Sequence, residues 1–404
     1  MVESPPISDV ARRHLRLQRA HDVGPIRFRK LREHFGSVDA VLEASRSELQ
    51  NVDGIGPKTA ESIFAARHDP GVDAEIERAS ACGVRILCQD DADYPLALLK
   101  IDDPPICLYV RGVLHPTDSV ALAIVGTRRC SNYGREQAER FGGLLARVGF
   151  TIVSGLARGV DGAAHRAAVE AAGRTIAVLG NGLAHVYPQE HTELASRIVN
   201  SGALISELPI DAAPDTKNFP PRNRIIAGLS LGVLVIEAGK NSGALITARL
   251  AADYNREVFA IPGRVDQPEL SAGVHALIRD GGGKLVTSLE DILDELPAVG
   301  EIMRRGMPSA ASDVLDHSSI ATGAGLTALE QAVWNAILEG NALADSVCSR
   351  VSFDTGKVMA TLTALELKGL VRRVPGGRFE ARAPADGGEG HSLKHVVRSS
   401  DPLK

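Results

Sequence analysis

The sequence predicts an α/β protein built around a doubly wound, mostly parallel β-sheet, with a small helical domain before it and a winged-helix module after it. Three observations predict this. Short apolar runs recur at residues 120–125, 151–153, 175–179, 203–205, 231–236 and 257–261, with a weaker one at 284–286, and each is followed by a segment of helical period. Near-continuous apolar strands alternating with helices are buried on both faces, which is the signature of a parallel sheet. After the first run, Ala138, Phe141, Leu145 and Val148 fall on one stripe while Arg135, Glu139 and Arg147 lie off it, so the helix is amphipathic and packs on the sheet. The pattern then changes character at both ends of the chain.

Residues 1–83 read as short helices separated by glycine turns, with Leu31, Phe35, Val38, Val41 and Leu42 at helical spacing. Val52-Asp53-Gly54-Ile55-Gly56-Pro57-Lys58-Thr59-Ala60 has the form of a helix-hairpin-helix turn, and Val23-Gly24-Pro25 looks like a degenerate copy. Two glycines allow the bend and a proline opens the second helix. Residues 84–297 form the sheet domain. Residues 298–325 are rich in Ser, Ala, Gly and Pro and read as a linker. In 326–384, Leu329, Val333 and Ile337 mark one helix and Val358, Leu362 and Leu365 another. A hairpin-like segment turning at Pro375-Gly376-Gly377 completes the winged-helix expectation. The polar residues 385–404 are expected to be disordered.

Composition narrows the function. The 404 residues are 44% hydrophobic and 24% charged, ordinary for a globular chain. No run approaches the roughly 18 apolar residues of a membrane helix, and Met1 to Asp9 lacks the pattern of a secretory signal. A cytoplasmic location is expected. Cys82, Cys88, Cys107, Cys130 and Cys348 form no CxxC pair, which argues against a disulfide framework or a zinc knuckle. The net charge of -5 does not mark the whole molecule as a polyanion binder, so a nucleic-acid site must come from local clusters.

In an open parallel sheet, ligands sit beyond the carboxyl ends of the strands. After the first run comes Gly126-Thr127-Arg128-Arg129-Cys130-Ser131. The glycine admits close backbone approach, the hydroxyls and arginines suit phosphate oxygens, and the following helix is expected to add the positive end of its dipole. No GxGxxG follows this strand, and Ser154-Gly155 stands where a dinucleotide site would place an acidic residue. Ser154-Gly155-Leu156-Ala157-Arg158-Gly159-Val160-Asp161-Gly162 could form an anion nest. Asp161 and His165, one turn apart, read as a helix cap and a locally bonded side chain rather than a catalytic pair. Gly180-Asn181-Gly182 reads as a turn.

Between Pro214 and Arg224 three cations, Lys217, Arg222 and Arg224, face one carboxylate, Asp215, and they surround Phe219. Single strands are held by such cations together with stacking on an aromatic face. Phe219 is the candidate platform, with a hydrophobic plug as the alternative. Asn223 stands between the arginines. Glu237-Ala238-Gly239-Lys240-Asn241-Ser242-Gly243-Ala244 brings a further glycine turn to the same edge, with Ser242 or Asn241 as helix cap. Glu237, a lone carboxylate, is a poor general base.

Together these residues resemble the DNA-processing protein A family (DprA/Smf). The resemblance rests on Val125-Gly126-Thr127-Arg128, Ser154 to Asp161, Phe219-Pro220-Pro221-Arg222-Asn223-Arg224-Ile225-Ile226, Glu237-Ala238 with Ser242 to Ala248, and Phe259-Ala260-Ile261-Pro262-Gly263. It implies an extended Rossmann-like fold, a SAM- or helix-hairpin-helix-like N-terminal domain, and a homodimer. It further implies binding of single-stranded DNA and help in placing RecA recombinase on DNA entering the cell during natural transformation, with no enzymatic activity and no cofactor. Gly126, Thr127, Arg128, Ser154, Gly155, Lys217, Phe219, Arg222, Asn223, Arg224, Ser242 and Gly243 are the expected DNA-binding residues. Thr127 stands where the family commonly has serine, which keeps the hydroxyl.

Two rivals remain. Phosphoribohydrolase-like enzymes share a related glycine-rich sheet edge, but their PGGxGTxxE loop is missing where Glu237 to Gly243 stand. The other rival is a duplex binder run by the end modules, through Val52 to Ala60 and a wing carrying Arg372, Arg373, Arg378 and Arg382.

Overall fold

The computed structural model describes residues 7–296 and 299, and farther on 328–338, 346–347, 350–351, 357–358, 361–362, 365, 371–374 and 378–381. The expected linker 298–325 apart from Val299, the Pro375-Gly376-Gly377 turn, the tail 385–404, Cys348 and the side chains of Arg372, Arg373, Arg378 and Arg382 lie outside the described residues. The chain divides into two compact units, Met1–Met307 and Pro308–Lys404.

The first unit opens with six helices, α1 (Asp9–Arg19), α2 (Pro25–Phe35), α3 (Val38–Glu43), α4 (Arg46–Gln50), α5 (Pro57–Ala66) and α6 (Gly71–Ala81). Their starts are specified locally: Ser8 and Ser37 cap α1 and α3, Ser45 forms a capping box with Glu48, and Pro25 and Pro57 occupy first-turn positions. The hairpin between α4 and α5 turns on Gly54 at φ 83°, where a side chain would be strained. Phe28, Leu31, Leu49 and Ile63 are buried in one core with Cys88, Ile106 and Tyr109 of the sheet region. Buried Glu75 accepts hydrogen bonds from the Tyr109 hydroxyl at 2.9 Å and the Ile210 amide at 2.7 Å. The helical segment and the sheet therefore share one core within this unit.

Nine strands form the sheet: β1 (Val84–Cys88), β2 (Cys107–Gly112), β3 (Ala121–Gly126), β4 (Thr151–Ser154), β5 (Thr175–Val178), β6 (Ala203–Ser206), β7 (Gly232–Ile236), β8 (Glu257–Ala260) and β9 (Lys284–Leu285). Their order is β1-β2-β6-β5-β4-β3-β7-β8-β9. Every pairing from β6 to β9 is parallel, while β2 runs antiparallel to β6 and β1 antiparallel to β2. The apolar runs of the sequence are β3 to β9, with ends that differ by at most one residue. The extension through β1 and β2 had no counterpart in that reading, because neither strand is followed by a helix-period segment.

Along β3 the two faces separate cleanly. Ala121, Ala123 and Val125 pack in a core with Ile225, Ile226 and Ala248, whereas Leu122 and Ile124 join Phe141, Leu145 and Ala164. The first face is covered by α10 (Phe219–Leu229) and α11 (Gly243–Asp253), the second by α7 (Asn132–Arg147) and α8 (Val160–Glu170). Such two-sided burial is the doubly wound arrangement. α9 (Thr192–Ser201), α12 (Pro268–Arg279) and α13 (Leu289–Asp294) complete the unit. Because β3 lies between β4 and β7, successive connections leave it in opposite directions, and a crevice opens beyond its carboxyl end.

The second unit contains α14 (Ala328–Leu338) and an antiparallel pair, β10 (Val371–Val374) with β11 (Arg378–Ala381), in which Val371 faces Ala381. Val333, Trp334, Ile337, Val358, Leu362, Leu365, Val371 and Phe379 form its core. These include helical-stripe and hairpin residues expected from the sequence. No helix among the described residues is long and apolar enough to cross a membrane.

Candidate nucleic-acid interface

The crevice beyond β3 is a cleft of about 660 Å³ lined by Gly126, Thr127, Arg128, Phe219, Arg222, Asn223, Ser242 and Gly243, among others. An adjoining cavity of about 330 Å³ shares Arg128, Phe219 and Arg222 with it and adds Gly155, Arg158 and Tyr187. Arg128 and Arg222 thus meet at one site, although they stand 94 positions apart in the sequence.

The β3–α7 loop is shaped by its packing against the end of β7. A Cβ on Gly126 would overlap the Ile236 carbonyl, which makes glycine necessary there. The Thr127 amide donates to the Glu237 carbonyl at 2.8 Å, and the Thr127 hydroxyl accepts from the Arg129 amide at 3.3 Å. The Arg128 side chain stands exposed, with its guanidinium carbon 4.9 Å from the centre of the Phe219 ring. Cation–π contact of this kind holds the arginine while leaving its N–H donors available.

Here the structure corrects the sequence reading of the α7 dipole. Buried Glu237 accepts from the Ser131 amide at 2.8 Å and from the Ser131 hydroxyl, so the protein's own carboxylate already meets the positive end of α7. Glu237 sits in the left-handed region at φ 47°, a conformation that costs a non-glycine residue about 1–3 kcal/mol. Gly134 is required beside it, since a Cβ would run into the carboxylate. The helix start at the cleft is instead that of α11, where the Ser242 hydroxyl accepts from the Ala244 amide at 3.3 Å and nothing stands within 4 Å of Gly243's Cβ position. α10 contributes fewer amides, because Pro220 and Pro221 in its first turn have no N–H.

The β4–α8 loop carries two further corrections. Asp161 is not the cap of α8, which is Gly159 at φ 75°. It lies buried inside the first turn and accepts from the Gly155 amide at 3.2 Å, holding the loop closed. Burial pushes its carboxyl above the usual range, against the opposing pull of Arg222. His165 bonds through Nδ1 to the Thr175 hydroxyl at 2.7 Å. Since that hydroxyl donates to the Ile152 carbonyl at 2.7 Å, Nδ1 carries the proton, and burial holds the imidazole down to about 3, hence neutral. Ser154, also buried, donates its hydroxyl to the Ile124 carbonyl at 2.6 Å and does not line the cleft.

The α10 region divides its residues by helix face. Phe219 is half-buried, its ring 5.9 Å from Tyr187 and inclined by 29°, and a Cβ at Gly180 would come within 2.6 Å of it. Gly180-Asn181-Gly182 is thus more than a turn: its first glycine makes room for the ring. Arg222, 8% exposed, donates to the carbonyls of Gly155 at 2.8 Å and of Val178. Burial pushes its guanidinium down to about 10, and nearby Asp161 opposes that fall. Its guanidinium is a strut in the cleft floor, and Gly155 is needed because a Cβ would meet it at 2.5 Å. Asn223 donates to the Gly243 carbonyl at 3.4 Å and ties α10 to α11.

Arg224 does not face the cleft. Two residues past Arg222 on a helix, it points to another side and pairs with Asp103 at 3.0 Å and Glu207 at 2.6 Å. The expected trio of cations around Phe219 is therefore not assembled: Arg224 is neutralised elsewhere, and Lys217, exposed in the turn Thr216–Asn218, lines neither cavity. Arg128 takes their place at the ring. Tyr187 and Lys240, neither among the expected DNA-binding residues, also line the cavities.

Comparison with known proteins agrees with this architecture. The family described as DNA recombination-mediator protein A matches residues 85–297, a DprA winged helix domain matches 318–377, and a SAM-like helix-hairpin-helix tandem matches 15–69. The chain is 34% identical over 383 residues to Protein Smf of Synechocystis sp., covering 89% of this chain and 96% of that protein. It is 41% identical over 216 residues to the DNA processing protein DprA of Bacillus subtilis, covering 53% and 72%. The X-ray structure of DNA processing protein A from Streptococcus pneumoniae superposes with a TM-score of 0.63 at 34% identity, over 70% of this chain and 97% of that one. With the sheet, the glycine turns and both flanking modules in agreement, the chain belongs to the DprA/Smf family of DNA recombination-mediator proteins.

Proposed function

We propose that this chain binds single-stranded DNA in the cleft beyond β3 and acts as a binding protein rather than an enzyme. One observation carries the reading: an exposed arginine, Arg128, lies against an aromatic pair, Phe219 and Tyr187, at the rim of a cleft into which the start of α11 opens. A cation beside a stacking face suits a flexible strand with unpaired bases, and helix-start amides suit its phosphates. The naming of its relatives as DNA processing proteins supports DNA as the ligand. Of the two carboxylates that line the cleft, Asp161 and Glu269, Asp161 is engaged on the Gly155 amide, and a single remaining carboxylate is a poor general base.

Within this reading the protein works in the cytoplasm as a homodimer, protects DNA entering the cell during natural transformation, and helps load RecA recombinase; these finer roles come from the family resemblance. Titrating labelled single-stranded and double-stranded oligonucleotides at two salt concentrations tests the binding. Tighter, sequence-tolerant, salt-dependent binding of the single strand is expected. Equal or stronger duplex binding would shift the role to the end modules, and release of base from nucleoside monophosphates would make the protein an enzyme.

A further inference from the structure

Sharing Arg128, Arg129 and Arg158 with the cavities just described, a further depression of about 580 Å³ opens along α7 and α8, where Arg135 and Arg166 complete its cationic lining. The two helices pack closely: Gly142 of α7 approaches Ala164 of α8 so nearly that a Cβ would sit 2.9 Å from the Ala164 carbonyl. Two carboxylates, Glu139 and Glu190, share the lining with these arginines. Among the described residues, Arg128, Arg129, Arg135 and Arg166 form no ion pair with a carboxylate, in contrast to Arg12, Arg46, Arg174 and Arg264 on other surfaces of the same unit. Arg158 does have a partner. Its Nε and Nη2 donate to the two oxygens of Glu190 at 2.7 and 2.6 Å, with both side chains more than half exposed.

That two-pronged fork is also how a guanidinium holds a phosphate, and an exposed ion pair costs little to exchange. We propose that this depression is a phosphate track along which a strand seated in the cleft continues past Arg128, and that Glu190 stands on Arg158 where a phosphate of the bound strand would stand. The inference rests on the single-strand reading of the cleft and extends it to a longer footprint. Arg135 and Arg166 serve only the extension, whereas Arg128 serves both parts.

Oligothymidylates of two lengths separate the two. Single-strand sites span roughly 4 to 16 nucleotides, so a short oligomer fills the cleft alone and a long one reaches the track. For the Arg135→Ala, Arg166→Ala double variant, affinity for the long oligomer is expected to fall about tenfold or more, with a salt slope smaller by about 1.4, or 0.7 for each phosphate deprived of its arginine. Short-oligomer affinity should stay at the wild-type value. Glu190→Gln should tighten the long oligomer, since it frees Arg158. Both variants alter exposed or part-exposed residues, and an unchanged melting temperature confirms the fold. If the double variant and Glu190→Gln bind the long oligomer like wild type while Arg128→Ala weakens both lengths, the track is wrong and the cleft stands. Should Arg128→Ala bind both lengths like wild type, the cleft reading fails, and the track falls with it.

Discussion

The loop after β3 and the first turns of α10 look alike in sequence, each placing arginines beside glycine or proline, yet the structure uses their charges in opposite ways. Arg128 stands exposed over an aromatic ring, while Arg222 is sunk into main-chain carbonyls and Arg224 is held between two carboxylates. Counting cations along the chain therefore overstates the charge offered to a ligand. Availability is decided by partners far away in sequence, such as Asp103 and Glu207, and the rim of the cleft rather than its floor carries the usable charge.

Substitutions can break this contrast or sharpen it, and the largest effect should come from Arg224. Removing it by Arg224→Ala leaves two partly buried carboxylates unpaired, a change that costs about 3–5 kcal/mol in denaturant unfolding, with the affinity of the folded protein for single strands unchanged. A loss of affinity without a loss of stability would move Arg224 into the interface. Next, Phe219→Ala should cost roughly 1–3 kcal/mol of single-strand affinity if the ring stacks on a base; no loss in a binding titration would leave the ring as a plug between Gly180 and Tyr187. Gly155→Ala forces a Cβ against the Arg222 guanidinium and should destabilise by about 1–3 kcal/mol, read as a lower melting temperature. At the small end, Thr127→Ser keeps the hydroxyl that receives the Arg129 amide, and a change in affinity of under about 0.5 kcal/mol is expected for such a surface substitution. A larger change would give the Thr127 methyl group a contact of its own.

Much of this architecture was legible in the sequence. The apolar runs became β3 to β9, and Ala138, Phe141 and Leu145 lie buried on the inner stripe of α7. Glycine turns at 126, 155 and 243 reached one sheet edge because a parallel sheet leaves its loops no other choice. What escaped is long-range by nature. Strands β1 and β2 join antiparallel at the far side of β6, a pairing that no local period announces. The carboxylate on the start of α7 comes from Glu237, more than a hundred residues on. Asp161 sits at a helix start and looks like a cap, but left-handed Gly159 takes that place and frees the carboxylate to hold Gly155. Arg135 lies on α7, Arg158 in the loop before α8 and Arg166 on α8, and only the packing of α7 on α8 gathers them.

The contrast between rim and floor is tested most directly by the salt dependence of single-strand affinity for wild type, Arg128→Ala and Arg224→Gln, at a temperature where all three are folded. A phosphate contact at Arg128 predicts a slope smaller by about 0.7 for Arg128→Ala and a wild-type slope for Arg224→Gln. A wild-type slope for Arg128→Ala, with the reduction appearing in Arg224→Gln, would contradict it.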